Sequence, residues 1–242
     1  MKMKKLYLIF VMAMAIVLSS CVKPVDPSAE TAVKHFSVLS DSYSTFEGYV
    51  DPETNDVWSC YGEIGVTQVE QMWWHKLAVE TEWVLERNNS FSGSLISNYQ
   101  DFGAHSFLRR MDDLGDPDVI FVFGGTNDVW NAAPLGDFVY ENWTEEQQRS
   151  FRPAVAYMFE YLKTHYPQAR VYFMLDKRLG EGQGCDQEQC AAYILSVREI
   201  ARHYGIECID LDIHKSWGHP DADGQNNIAR QVLEVLEADF NV

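Results

Sequence analysis

Short, nearly continuous apolar segments alternate with amphipathic segments over most of the sequence. The apolar segments predict strands at 35–41, 81–86, 118–124, 169–176 and 206–212. Unbroken apolar runs are typical of strands that helices cover on both faces. After the last strand, apolar residues recur at helical spacing and predict a closing helix with one buried face. That face carries Ile228, Val232, Val235 and Leu236.

Alternating strands and helices predict an α/β fold. A strand that is connected through a helix to a neighbouring strand forms a right-handed crossover, and such crossovers make the strands parallel. Five strands therefore predict a three-layer α/β/α sandwich with a five-stranded parallel sheet and a flavodoxin-like layout. We expect this single domain to occupy residues 33–242.

The N-terminus has the composition of a signal peptide. A basic start precedes an apolar run of thirteen residues, Leu6 to Leu18, which is too short to span a membrane comfortably. The small residues before Cys21 resemble the lipobox of bacterial lipoproteins, which implies cleavage and acylation at Cys21. A plain secretory signal or a transmembrane anchor is the alternative. We expect a signal peptide over 1–20, a tether over 21–32 and a lipid-anchored, extracytoplasmic protein, on the periplasmic face or at the cell surface.

Acidic residues outnumber basic residues in this protein. Asp and Glu total 36 against 19 Lys and Arg, so the formal net charge is −17 at pH 7. Such a charge repels the phosphates of nucleic acids and the headgroups of anionic lipids. Nucleic-acid binding is therefore not expected, and an acidic polymer is a less natural substrate than a neutral one.

Four cysteines follow Cys21, namely Cys60, Cys185, Cys190 and Cys208. Cysteines of an extracytoplasmic protein can pair, and Cys185 and Cys190 would enclose a short loop. Their spacing matches no zinc pattern, so no metal site is predicted. The sequence leaves open which cysteines pair, which remain buried thiols, and whether the protein forms oligomers.

Ser42 stands where the first predicted strand breaks into a loop. In open parallel sheets, ligands bind beyond the carboxyl ends of the strands, where a turn also offers backbone N–H groups. A serine at that place is a candidate nucleophile, although serine often only caps or turns the chain. Partner residues elsewhere must decide between these two roles.

Three further polar motifs follow other predicted strands. Gly93 lies in a loop of small residues and can offer its backbone N–H to the same site. Asn127 follows a Gly-Gly pair and can aim its side-chain amide at developing negative charge. His219 precedes the last helix, and its imidazole can accept a serine proton near neutral pH. His214 is its rival, and each motif taken alone is also compatible with an ordinary turn.

Taken together and in this order, four blocks resemble those of the SGNH (GDSL-like) hydrolase family. The blocks are Asp41-Ser42, Ser92-Gly93, Gly125-Thr126-Asn127-Asp128 and His219-Pro220. The resemblance extends over the whole predicted domain. It implies an esterase with Ser42 as nucleophile, His219 as base, and the Gly93 N–H and the Asn127 amide as oxyanion donors beside the Ser42 N–H. It also implies that neither a metal nor a cofactor is needed.

Two positions depart from the family pattern. Ser40 stands where the family usually has a glycine, which tolerates positive φ. Ser216 stands three residues before His219, where the family usually has the aspartate that orients the base. In serine proteases, loss of that carboxylate lowers kcat about ten-thousand-fold. We expect Asp212 or Asp210 to reach His219, or else Ser216 or a backbone carbonyl to orient it, with the carbonyl or an unsupported dyad favoured.

The substrate is indicated less directly. Aromatic residues near the expected site are candidates for stacking on sugar rings, although such residues also pack loops onto a domain. They are Trp130 beside the Asn127 loop, Trp217 beside His219, and Tyr43, Phe46, Tyr49 and Trp58 near Ser42. A lipid-anchored, extracytoplasmic hydrolase of this kind resembles a deacetylase of glycans or other small esters, so a small ester or an acetylated glycan is the expected substrate. A lysophospholipase or a thioesterase would use the same chemistry with an apolar acyl channel. A non-catalytic carbohydrate-binding lipoprotein on a hydrolase scaffold is the alternative of another class, motivated by Ser40 and Ser216.

Overall fold

Five parallel strands form the central sheet of the protein, whose computed structural model describes residues 33–100, 105–181, 186–240 and 242. The strands are β1 (His35–Ser40), β2 (Val84–Ser90), β3 (Val119–Phe123), β4 (Arg170–Asp176) and β5 (Glu207–Leu211). Their order in the sheet is β2-β1-β3-β4-β5. This is the flavodoxin-like order, in which the chain reverses direction across the sheet between β1 and β3. The predicted five-stranded parallel sheet is confirmed.

Helices cover both faces of the sheet. They are α1 (Trp73–Thr81), α2 (Thr126–Trp130), α3 (Phe151–His165), α4 (Gln187–Tyr204) and α5 (Ala222–Phe240). Buried residues of α1 and α5 form one apolar core with one face of the sheet, and those of α3 and α4 form a second core with the other face. Along β3, Phe121 belongs to the first core and Ile120 and Val122 to the second, as the alternation of side chains in a strand requires.

The second strand lies later in the chain than its apolar residues indicate. It runs from Val84 to Ser90, four residues beyond the predicted end at 86, and includes Asn88-Asn89-Ser90. Polar side chains are tolerated there because their bonding groups have partners. The Asn88 amide donates to the carbonyls of Ser44 and Tyr49, at 3.1 and 2.8 Å. Composition alone does not reveal such tertiary partners.

A small hairpin follows β5 and was not predicted. Its strands, β6 (Lys215–Ser216) and β7 (His219–Pro220), pair antiparallel around the two-residue turn Trp217-Gly218. Both turn residues have positive φ, 53° and 77°, as a type I′ hairpin turn requires. The hairpin leads directly into α5.

Several predicted features lie outside the described residues, namely the signal peptide 1–20, the lipidation site Cys21, the tether 21–32 and Cys185. Cys190 is disulfide-bonded, whereas Cys60 and Cys208 are free thiols. Within the described ranges, no helix is both long and apolar enough to cross a membrane.

Candidate active site

The carboxyl ends of β1, β2 and β3 are aligned, which brings their following loops together. Ser40, the last residue of β1, is in register with Ser90 of β2 and with Phe123 of β3. Ser42, Gly93 and Asn127 each come two to four residues beyond these positions. The arrangement matches the expectation that strand-end residues of a parallel sheet share one site.

Ser42 occupies a tight turn directly after β1. The turn is closed by a hydrogen bond from the Ser44 N–H to the Asp41 carbonyl at 3.2 Å. The carbonyl of Ser42 accepts hydrogen bonds from the hydroxyls of Tyr61 and Thr45. Only 4% of Ser42 is exposed, so the turn presents its hydroxyl within a nearly buried site.

His219, and not His214, reaches the serine. Its Nε2 lies 3.0 Å from Ser42 Oγ, although the two residues are 177 positions apart in the chain. Its Nδ1 lies 3.3 Å from the carbonyl oxygen of Trp217. A carbonyl oxygen can only accept, so Nδ1 carries the proton and Nε2 is free to accept the hydroxyl proton of Ser42.

The hairpin turn determines which carbonyl faces His219. Trp217 adopts a left-handed conformation, φ 53°, which is uncommon for a bulky residue. The turn Trp217-Gly218 folds back so that the Trp217 carbonyl meets the ring of His219 two residues later. A backbone carbonyl therefore occupies the place expected for an orienting group. This was one of the alternatives that the sequence left open.

The other candidate orienting groups are engaged elsewhere. Asp212 pairs with Arg178 at 3.4 Å, and Asp210 pairs with Arg198 at 2.9 Å. The Ser216 hydroxyl donates to Asp221 at 2.7 Å. In the described part of the chain, none of these three side chains makes a hydrogen bond to His219.

Asp221 is the carboxylate nearest to His219 in sequence, and it was not predicted. Besides the Ser216 hydroxyl, it binds Nδ1 of His214 at 2.7 Å and accepts the backbone N–H of Gly224 at 2.9 Å. The last bond caps the start of α5. Asp221 thus fastens the hairpin to the helix, and its oxygens are used for that purpose.

Asn127 and Gly93 lie beside the serine turn. The Asn127 amide donates to the carbonyl of Ser94 at 3.0 Å and to the carboxyl of Asp41 at 3.3 Å. Gly93 has φ 74°, which favours glycine, in a turn closed by a bond from the Ser94 N–H to the Phe91 carbonyl at 3.2 Å. The Phe91 N–H in turn donates to the carbonyl of Ser40, which attaches this turn to the end of β1.

A buried charged network supports these loops. The Arg110 guanidinium donates to the Ser40 carbonyl and to the Ser94 hydroxyl, at 3.1 and 3.0 Å. Asp41, which accepts the N–H of Tyr43, is also buried. Burial raises the pKa of Asp41 to about 7, against the opposing effects of the Tyr43 N–H and Arg110. Arg110 was not predicted, because nothing in its local sequence indicates that it is buried.

Ser40 does not weaken the site. Its φ is not in the left-handed region, so the freedom of glycine is not required at this position. Its hydroxyl donates to the Phe123 carbonyl at 2.7 Å and accepts from the Ser44 hydroxyl at 2.8 Å. Ser40 therefore joins β1 to β3 immediately before the turn that carries Ser42.

Three tryptophans surround His219 in different ways. Trp217 is 67% exposed at the tip of the hairpin. Trp130 donates from its Nε1 to the Gly180 carbonyl at 3.2 Å and packs at a steep angle to the His219 ring. Trp58 stacks flat on the imidazole, with ring centroids 3.7 Å apart and 4° between the planes. Trp58 lies near Ser42, as expected, but its stacking on His219 was not predicted.

His219 is largely buried. The residue is 7% exposed. Burial lowers the pKa of His219 to about 4; the Trp217 carbonyl opposes this shift and the Lys215 ammonium adds to it. The imidazole is therefore neutral at physiological pH and able to accept a proton.

A cavity of about 860 Å³ lies next to the dyad. Trp58 and Tyr61 belong to its lining, and both also contact the dyad, through the His219 ring and the Ser42 carbonyl. Glu47 and Asp56 are also part of the lining. The cavity therefore combines aromatic surface with carboxylates.

The sequence profile of the GDSL-like Lipase/Acylhydrolase family matches residues 34–236. The chain belongs to this family of hydrolases. Two crystal structures of GDSL-like lipase family proteins, from Bacteroides ovatus and Bacteroides uniformis, are 44% and 43% identical to it. Both matches cover 86% of this chain and have a TM-score of 0.77. They cover 99% of the Bacteroides ovatus protein and 97% of the Bacteroides uniformis protein. No curated protein matches the chain.

A more distant likeness concerns the fold alone. A family two carbohydrate esterase from Clostridium thermocellum, solved in complex with cellohexaose, is 12% identical to this GDSL-like protein and has a TM-score of 0.57. The match covers 86% of this chain and 65% of that one.

Proposed function

We propose that this GDSL-like protein is a serine esterase that transfers the acyl group of a small ester to water through a Ser42–His219 dyad. The observation that carries the proposal is the 3.0 Å contact between Ser42 Oγ and His219 Nε2, with Nδ1 directed at a backbone carbonyl. In the first step, Oγ attacks the ester carbonyl and its proton passes to Nε2. The resulting imidazolium then protonates the alcohol oxygen as the bond between carbonyl carbon and alcohol breaks.

The second half of the cycle reverses these roles. A water molecule gives one proton to Nε2 and attacks the acyl-serine carbonyl, after which Nε2 returns the proton to Ser42 Oγ and the carboxylic acid departs. In both halves the carbonyl oxygen becomes negatively charged. The backbone N–H groups of Ser42 and Gly93 and the Asn127 amide are the proposed donors to it, with the amide exchanging its 3.3 Å contact to Asp41 for the oxyanion. Each such donor contributes about 3 kcal/mol of transition-state stabilisation in a well-studied serine protease.

A catalytic role is favoured over a non-catalytic one by the two positions that depart from the family pattern. Ser40 fits its site with two hydrogen bonds. The Trp217 carbonyl binds His219 in place of the aspartate that the family usually has at the position of Ser216. The neutral base and the buried serine are arranged as the reaction needs.

We propose an acetylated carbohydrate as the preferred substrate. The cavity beside Trp58 and Tyr61 offers aromatic surface and polar side chains to the alcohol part of the ester. The esterase from Clostridium thermocellum, which shares the fold, was solved with a cello-oligosaccharide. A lysophospholipase or thioesterase activity would require a long apolar channel, and this lining includes Asn55, Asp56 and Glu47.

The proposal is tested by hydrolysis of a chromogenic acetate ester and of acetylated oligosaccharides. Wild-type protein is expected to turn over both, and Ser42→Ala to lose at least about a thousandfold in kcat, since residual activity rests on the oxyanion donors alone. Undiminished activity of Ser42→Ala would refute the assignment of the nucleophile. A preference for acyl chains beyond about eight carbons would refute the carbohydrate assignment and favour a lipid or thioester substrate.

We further propose that the protein is anchored by lipid at Cys21 outside the cytoplasm. The proposal rests on the lipobox-like sequence. Wild-type protein expressed with its N-terminus is expected to partition into a detergent phase and Cys21→Ser into the aqueous phase. Equal partition of the two would refute it.

A further inference from the structure

Three aromatic rings surround the imidazole of His219, one parallel to it and two inclined. Trp58 lies parallel to it, with centroids 3.7 Å apart. Tyr43 and Trp130 are inclined at 65° and 61°, with centroids 5.5 and 6.0 Å away. Among the rings that the structure describes around this histidine, Trp58 alone stacks on it. Two neutral rings usually prefer an offset or edge-to-face arrangement, so a parallel stack this close needs a reason.

The same turn that carries the nucleophile also holds Trp58. The backbone N–H of Trp58 donates to Thr45 Oγ1 at 3.2 Å, and Thr45 Oγ1 donates to the Ser42 carbonyl at 3.3 Å. Tyr61 packs its ring against the indole at 85°, with centroids 4.9 Å apart, while its hydroxyl binds the Ser42 carbonyl. Nucleophile, base and indole therefore form one connected unit.

The base has little other support. Nδ1 of His219 is 3.3 Å from a neutral carbonyl, beyond the usual 2.9–3.0 Å of an N–H···O bond. Of the titratable groups that face the ring, Tyr43 is neutral and donates to the Gly218 carbonyl, and Lys215 carries positive charge. Asp221 is bound by Ser216 and His214. Within the described structure, no carboxylate is bonded to the ring when it becomes an imidazolium.

We infer that Trp58 is a positioning residue, whose indole face holds the His219 ring in line with Ser42 and stabilises its protonated form; the inference rests on the proposed esterase mechanism. The face of an indole attracts a cation more strongly than it attracts a neutral ring. The stack therefore strengthens as the proton moves from Ser42 Oγ to His219 Nε2. An interaction that is stronger in the transition state than in the ground state raises kcat.

Two substitutions at position 58 test the inference with a small chromogenic acetate ester. Trp58→Leu keeps apolar bulk but has no π face, and it is expected to lower kcat about 10- to 30-fold, which is about 1–2 kcal/mol. KM for this small ester is expected to change by less than about threefold, because the indole face that covers His219 acts through the base. Trp58→Phe keeps a smaller face and is expected to retain kcat within about threefold.

A matched control is Trp143→Leu, which removes another half-buried tryptophan that packs on Tyr157 far from the dyad in sequence. It is expected to leave both constants unchanged. A loss in kcat below about threefold for Trp58→Leu, an equal loss for Trp58→Phe, or a rise in KM alone would each overturn the inference. Circular dichroism and thermal unfolding show whether each variant is folded.

A second measurement needs no change at position 58. In folded wild-type protein, the ring protons of His219, assigned by their loss in His219→Gln, are expected well upfield because they lie over the indole face. Resonances at ordinary positions would overturn the inference even if Trp58→Leu failed to fold. If wild-type protein hydrolysed no ester, the esterase proposal itself would fail, whereas activity without an effect of Trp58→Leu would refute only the role of Trp58.

Discussion

At the scale of single residues, two neutral groups surround the base that this GDSL-like protein is proposed to use. The Trp217 carbonyl fixes the proton on Nδ1 of His219, and the Trp58 face covers the ring. Serine hydrolases with a buried aspartate behind the base stabilise the imidazolium by charge. Here burial dominates, and it keeps the imidazole neutral over a wide range of pH.

This environment predicts an acid-tolerant pH profile. Because burial lowers the pKa of His219 to about 4, kcat/KM for a neutral ester is expected to stay nearly constant from pH 7 to 5. It is then expected to fall below about pH 4, as the free enzyme's base becomes protonated. Stopped-time assays across this range measure the acid limb, and a limb near pH 6.5 would contradict the prediction.

The assay needs a stability control, and linkage gives the reason. A lowered pKa means that the unfolded chain binds a proton between about pH 6.5 and 4 that the folded His219 does not bind. The stability contributed at His219 is therefore lost as the pH falls through that window. Samples returned to pH 7 must regain full activity for the acid limb to be assigned to the base.

Asp41 predicts a second, opposite dependence. Burial raises its pKa from 3.8 to about 7, so the folded protein holds a proton between those pH values that the unfolded chain releases. The free energy of unfolding therefore falls progressively as the pH rises from 4 to 7, because the unfolded chain releases the proton that folded Asp41 keeps. The pKa difference of roughly three corresponds to a loss of about 4 kcal/mol in the free energy of unfolding once the pH exceeds 7.

The comparison that isolates this effect is with Asp41→Asn. Urea unfolding of both proteins at pH 4.5 and pH 7.5 is expected to show the variant gaining stability relative to wild type as the pH rises. The lost hydrogen-bonding capacity of the asparagine is the same at both values and cancels in the difference. A constant difference would show that Asp41 titrates normally.

At the scale of secondary-structure elements, the hairpin β6–β7 determines where the base lies. A buried ion pair fastens it to the sheet: Lys215 Nζ is 2.8 Å from Asp176 Oδ2, with side chains 7% and 1% exposed. Lys215 also donates to the Arg178 carbonyl at 3.1 Å. On the other side of the hairpin, Asp221 connects Ser216 to the start of α5. The hairpin is thus held from both the sheet and the last helix.

Removing one partner of the buried pair is expected to be costly. Lys215→Met leaves the Asp176 carboxylate buried without its cation, and it is expected to lower the free energy of unfolding by about 3 kcal/mol. The double variant Lys215→Met/Asp176→Leu is expected to recover much of that loss, since no charge remains buried. Urea unfolding of the two variants measures both values, and kcat is expected to fall with Lys215→Met because the base moves.

The exposed pair Arg230–Glu234, with side chains 61% and 59% exposed, is the matched control. Arg230→Met is expected to change stability by less than about 1 kcal/mol, as exposed pairs do. If Lys215→Met proved as mild as this control, the hairpin would not depend on the ion pair.

Some of these elements could be predicted from the sequence and others could not. Apolar periodicity, which depends on local sequence, predicted the sheet and the closing helix. The end of β2 did not, because Asn88 is buried by partners 39 and 44 residues away. The hairpin was missed because Trp217-Gly218 is not a typical turn pair and its strands have two residues each. The four proposed catalytic positions were assigned by the order of four blocks that resemble a family, whereas the sequence carries no signal for the burial of Arg110 or the stacking of Trp58 on His219.

At the scale of the whole molecule, the negative charge predicts which esters are accepted. The formal net charge is −17, and Glu47 and Asp56 line the cavity next to Trp58. Among the described residues of that lining there is no lysine or arginine. The surface and the cavity therefore act in the same direction, and an anionic alcohol is repelled both on approach and when bound.

Two aryl acetates that differ only in a sulfonate group test this expectation. At low ionic strength, kcat/KM for the anionic ester is expected to be about fivefold lower, the factor for about 1 kcal/mol between two charges roughly 4 Å apart in water. Salt is expected to reduce the difference, because the Debye length shortens from about 30 Å at 0.01 M to about 3 Å at 1 M. Replacing both carboxylates, in Glu47→Gln/Asp56→Asn, separates the cavity from the surface. If the variant abolishes the discrimination at low salt, the cavity binds the alcohol part of the ester. If the variant leaves the ratio of the two kcat/KM values unchanged, the alcohol lies elsewhere and its proposed location is wrong.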